Sequence, residues 1–170
     1  EYATGLTTLY LGGNQISDIS PLSGLSNLDR LELWANQISD ISPLTGLTSL
    51  TSLSLAGNRI GDVTPLSGLT SLTRLAVSEN QVTSVVPLSG LAALDHLELS
   101  GNRITDISPL AGLTDLTWLS LGGNQIATIV PLFGLANLDH LELNGNHITD
   151  ISPLAEMTGL SFLDLRTNLL

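Results

Sequence analysis

The runs Asp95-His96-Leu97-Glu98 and Asp139-His140-Leu141-Glu142 place an imidazole two residues from a carboxylate, twice, in a chain of 170 residues. Imidazole and carboxylate are the side chains that ligate zinc or pass protons to one another. A metal site or an acid–base pair is therefore the sharpest chemistry on offer. The alternative is an ion pair on a surface, because residues i and i+2 of an extended chain share one face. Five aspartates, Asp18, Asp40, Asp62, Asp106 and Asp150, form a second acidic series. Each sits two residues before a Ser or Thr that precedes proline, where a carboxylate can cap the backbone donors of a turn. A calcium ladder is the other reading of that series, and Ser84 and Thr128 interrupt it. There is no cysteine, no nucleophile elbow and no helix with paired histidines. Gly12-Gly13 and Gly122-Gly123 read as turns, not phosphate cradles.

These spacings belong to a repeat. Eight asparagines, from Asn14 to Asn168, recur every 22 residues, and the seven prolines from Pro21 to Pro153 keep the same period. One unit reads LxxLxLxxNxI followed by DISPLxGL. Leu31 and Leu33, with their equivalents, alternate with variable residues and predict a short strand with one buried face. Successive strands then pair in parallel, about 4.8 Å apart, in a ladder roughly 34 Å long. The asparagine falls where the chain leaves the strand and backbone groups lose their ladder partners, so a column of Asn amides is expected to satisfy them. Gly usually precedes it, but Ala35, Glu79 and Thr167 also occur there, which argues against a required positive φ. Ser-Pro-Leu predicts a helical turn, with Ser as the start signal and Pro in the first position. Gly46 and its equivalents hold it to one or two turns, expected to be of 3₁₀ type. The predicted fold is an α/β-type solenoid: a curved parallel β-sheet on the concave face and 3₁₀ turns on the convex face, as one domain over residues 1–170. Units carrying Val85-Val86-Pro87 and Ile129-Val130-Pro131 alternate with Asp-Ile-Ser-Pro units, so part of the chain looks like a duplicated 44-residue pair.

Within this frame the variable strand positions point outward. Before the central leucine they include Arg30, Arg74, His96, Trp118, His140 and Phe162; on the far side of it come Tyr10, Glu32, Glu98, Glu142 and Asp164; past the strand stand Trp34 and Arg166. Tyr10, Trp34, Trp118 and Phe162 are four of only six aromatic residues in the chain, yet the core is already supplied with Leu, Ile and Val. Large rigid aromatics on a polar sheet suit the anchoring of a partner, although cross-strand packing would also place them there. His96 and His140 fall two strands apart, about 9.6 Å, with Trp118 between them, so one ion held by both would force the imidazoles around an indole. The thirteen outward residues are accordingly expected to form a partner-binding face, with no catalytic residue, no metal and no cofactor. Ser54, Ala56, Ala76 and Ser78 are small and predict a shallow trough between two aromatic centres.

Composition narrows the partner. The net charge is −11, with five arginines and no lysine. Nucleic acid and anionic membrane surfaces both require clustered cations, so neither is expected. No run of about 18 apolar residues is present to insert into a bilayer.

The stretches LYLGGNQISDISPLSGL from Leu9, LELWANQISDISPLTGL from Leu31 and LELSGNRITDISPLAGL from Leu97 resemble the 22-residue leucine-rich repeats of bacterial internalins, and the resemblance runs through the whole chain. It implies a non-enzymatic module that grips a protein on its concave strand face, at the cell surface or in secreted form. The outward residues are this chain's own, so the resemblance carries over no receptor. Glu1 in place of methionine points to a piece of a longer polypeptide. Tyr2, Ala3 and Thr4 replace the expected Gly-Leu-Thr, and Leu169-Leu170 follow the last asparagine. Uncapped solenoid ends invite pairing, so end-to-end self-association is the alternative expectation.

Overall fold

A computed structural model describes residues 5–170; Tyr2, Ala3 and Thr4 lie outside the described residues. Eight three-residue strands form one parallel sheet in chain order: β1 (Thr8–Tyr10), β2 (Arg30–Glu32), β3 (Ser52–Ser54), β4 (Arg74–Ala76), β5 (His96–Glu98), β6 (Trp118–Ser120), β7 (His140–Glu142) and β8 (Phe162–Asp164). Their centres are the predicted leucines. Register is uniform, with each residue paired to its equivalent one repeat on, as in Leu75↔Leu97 and Leu97↔Leu119. A single offset of 22 residues thus defines every column of the sheet.

The repeat supplies its own core. Strand leucines such as Leu31, Leu75, Leu97 and Leu119 are buried, and so are Ile41, Leu44, Leu47 and Leu50 on the return path. Burying one leucine side chain is worth about 1.5–3 kcal/mol. What covers each layer is its neighbours: Leu141 is 0% exposed, whereas Leu163, in the last strand, is 39% exposed.

Asparagine closes each turn as expected. The Asn36 amide donates to the Leu33 carbonyl of its own turn at 3.0 Å and to the Leu11 carbonyl one turn back at 2.9 Å. Its Oδ1 accepts the Ile16 N–H at 2.9 Å. Asn58, Asn80, Asn102, Asn124 and Asn146 repeat the pattern. One side chain therefore stitches two turns with three hydrogen bonds.

Two local expectations are corrected. The residue before the asparagine does adopt positive φ, in Ala35 (50°), Glu79 (54°) and Thr167 (59°) as well as in the glycines. All repeats must share one backbone path for the asparagines to stack, so the left-handed conformation persists even where a side chain makes it costly. The serine before proline is also not the N-cap. The 3₁₀ turn begins at that residue, as in Ser42–Leu44, and Ile41 occupies the cap position without a side-chain bond. The capping acceptor is Asp40, whose Oδ1 takes the Ser42 N–H at 2.8 Å. Asp18, Asp62, Asp106 and Asp150 do the same. Where the series is interrupted, the Ser84 and Thr128 hydroxyls accept from Val86 and Val130 at 3.4 Å.

Candidate binding face

The outward columns come together as two clusters with an open space between them. At the β1–β2 end, the Arg30 guanidinium lies 5.7 Å from the centre of the Tyr10 ring and bonds Glu32 Oε1 at 2.8 Å. Trp34 lies over Gly12, where a Cβ would stand 2.3 Å from the indole. Only glycine permits that approach. The sequence gives Gly12 as a turn residue in the column of Trp34, 22 residues away, without showing that the indole lies on it.

At the other end, four rings from β5 to β8 form one stack. His96 and Trp118 have centroids 5.1 Å apart, Trp118 and His140 3.4 Å, and His140 and Phe162 4.1 Å. Packing between strands, set out above as the alternative to anchoring, is therefore a property of these residues. The rings form a partly exposed ladder, and Phe162 remains 44% exposed.

The carboxylates beside this ladder are bonded within the protein. His96 Nε2 lies 2.8 Å from Glu98 Oε1, and His140 Nε2 lies 3.2 Å from Glu142 Oε1. Each pair runs along its own strand, as surface pairing requires. Glu142 also accepts the Ser120 hydroxyl, and Ser120 bonds Ser100; neither serine is among the thirteen residues expected to bind. The Ser120 hydrogen bond, followed by that from His140, holds Glu142 below the usual carboxylate range against the opposing effect of burial. In this chain of groups the carboxylate stands between serine and histidine. The imidazole therefore touches the carboxylate and not the hydroxyl, unlike a serine–histidine pair. Among the described residues, no group of three or more His, Asp and Glu could hold a metal ion. Asp164 is bound by Arg166, whose Nε reaches Oδ1 at 2.9 Å, and the Arg166 side chain and backbone lower its pKa to about 2.

Between the clusters lies a trough of about 550 Å³. Ser54, Ala56 and Ala76 lie along it, Arg30 and Trp34 stand at one end, and His96 and Glu98 at the other. Arg74 and Glu79 also line it, Glu79 being a residue that the sequence reading did not single out. Its side chain is set over Gly101 by the positive-φ turn.

Family models for leucine-rich repeats match nearly all of the chain: leucine-rich repeats in two copies at residues 4–46, 114–156 and 136–170, and further leucine-rich-repeat models at 70–126 and 46–63. An internalin (inlF) of Listeria monocytogenes superposes with a TM-score of 0.95 at 41% identity, covering 97% of this chain and 49% of that one. Internalin C2 (inlC2) of the same organism gives 0.93 and 41%, covering 95% and 72%. The leucine-rich-repeat ectodomain of the plant membrane receptor kinase GASSHO1/SCHENGEN3 from Arabidopsis thaliana, solved in complex with Casparian Strip Integrity Factor 2, gives 0.82 at 28% identity, covering 94% and 21%. This chain thus spans about half of inlF and about a fifth of the plant ectodomain. No curated protein sequence is a significant match. With the repeat, the sheet and these superpositions in agreement, the chain belongs to the leucine-rich-repeat family and is an internalin-like member of it.

Proposed function

We propose that residues 1–170 form one non-enzymatic binding domain that takes a protein or peptide on the concave sheet face, within a bacterial surface or secreted protein. The observation that carries this reading is the open trough between two aromatic clusters. A groove of a few hundred Å³, flanked by rigid rings and polar groups, suits capture of a chain segment. The plant ectodomain of the same fold, solved with its bound factor, supports it. No helix among the described residues is long and apolar enough to cross a membrane.

The test is a panning experiment. A displayed library of random twelve-residue peptides is selected on the immobilised chain, and enriched peptides are assayed on two variants. Ala76→Trp fills the trough, whereas Ser67→Trp places the same bulk beside a 3₁₀ turn. Loss of binding with Ala76→Trp alone supports the reading. Enriched peptides that respond only to Ser67→Trp, or to neither variant, contradict it.

A further inference from the structure

The charges lining the trough are not equally available. Arg30 is held by Glu32, and Glu98 faces His96. Beyond the trough, Arg166 is held by Asp164 and Arg59 bonds Gln37. Arg74 differs. It is exposed at the start of β4, between the neutral Ser52 of β3 and His96 of β5. Its guanidinium makes no hydrogen bond or ion pair among the described residues. Glu79, in the same repeat and also exposed, has an equally uncommitted carboxylate. The two do not pair with each other, yet both line the trough.

From this we infer the chemistry of the occupant: an extended peptide segment that sets an acidic side chain on Arg74 and a basic one on Glu79. The inference rests on the trough being the binding face. A guanidinium presents a planar fork of donors that matches a carboxylate in two parallel bonds. Ser54 and Ala76 leave open space around it, so a ligand carboxylate can approach without displacing an internal partner. Glu79 receives the cation, and the net charge of −11 favours that end of the ligand at long range. Arg74 is then the local exception, and it sets ligand orientation. Charges at an interface act in this way, fixing register and rejecting wrong partners. A ligand carrying acid alone meets the repulsion of the whole molecule, and one carrying base alone leaves Arg74 unmatched.

Peptides enriched by the panning described above supply the probe, with dissociation constants measured by calorimetry on the full chain. They are expected to carry Asp or Glu together with Lys or Arg. Replacing the acidic residue by its amide is expected to weaken binding to the unmodified chain by about tenfold or more, and to Arg74→Gln by less than about twofold. Replacing the basic residue should couple in the same way to Glu79→Gln. Circular dichroism establishes that both variants are folded. Peptides that lose binding with Ala76→Trp but show no coupling to Arg74 or Glu79 overturn this inference and leave the binding face intact. Coupling of Arg74 to amidation of the peptide C-terminus overturns it as well, since the carboxylate would then be terminal. Peptides indifferent to Ala76→Trp remove both readings together.

Discussion

Trp118 and His140 lie face to face, with ring centroids 3.4 Å apart and planes 5° from parallel. His96 covers the opposite face of the indole, so Trp118 is stacked on both sides and stays partly exposed. An outward-pointing residue of the sheet therefore contributes to stability as well as to any contact.

An outward residue that packed against nothing could be truncated at little cost to stability. Trp118 is stacked, and the stack changes that. Each aromatic pair is worth about 0.5–1.5 kcal/mol, so the variant should lose about 1–3 kcal/mol of unfolding free energy by urea denaturation. A loss much below that range would mean that the stack carries little energy.

The asparagine column yields a graded prediction. Asn102→Ala strands the Leu99 and Val77 carbonyls and the Val82 N–H. Leaving a buried polar group unsatisfied costs about 1–3 kcal/mol, so a loss above ~3 kcal/mol is expected. Among the described residues, the exposed Asn14 bonds only within its own turn. Asn14→Ala should cost less than about 1 kcal/mol in the same urea assay. Equal losses at the two positions would contradict stitching between turns.

Acid should weaken the fold in a predictable direction. Asp18, Asp106 and Asp150 sit below the ordinary carboxylate value because of the backbone N–H and then the hydroxyl of the serine two residues on; for Asp62 the Thr64 hydroxyl leads. Glu142 is lowered as well, and Asp164 titrates at about 2. A depressed folded value means that the stabilisation is complete above the unfolded value, near about 4, and is lost as pH falls through the folded values. Melting temperature should hold from neutrality to about pH 5 and fall toward pH 2. Asp106→Asn should lower the neutral value and flatten that descent. A midpoint that is flat below pH 4 would remove the caps from the account.

Most of the fold was legible because a 22-residue period repeats without interruption. A period sets the register, and register carries Leu75, Leu97 and Leu119 to equivalent buried places. The asparagine and aspartate roles were legible too, because unpaired backbone groups at a turn demand a partner. Glu79 and Ala35 misled the reading of the turn: residue identity suggested freedom, whereas stacking imposes one backbone on every repeat. The columns placed Trp118 beside His140 without giving ring planes, so stacking emerged only in three dimensions. Gly12 beneath Trp34 could have been found by pairing small with large residues down a column.

A partner lying in the trough between β2 and β5 should leave its mark on hydrogen exchange, compared between the free chain and the chain saturated with a peptide selected by panning. Slowed exchange is expected at Leu33, Leu55 and Val77, whose N–H groups bond across the strand ends bordering the trough, with the 3₁₀ turns at Ser42–Leu44 and Thr64–Leu66 unchanged. Protection confined to those turns, with the strand-end amides unaffected, would place the partner on the opposite face and contradict binding in the trough.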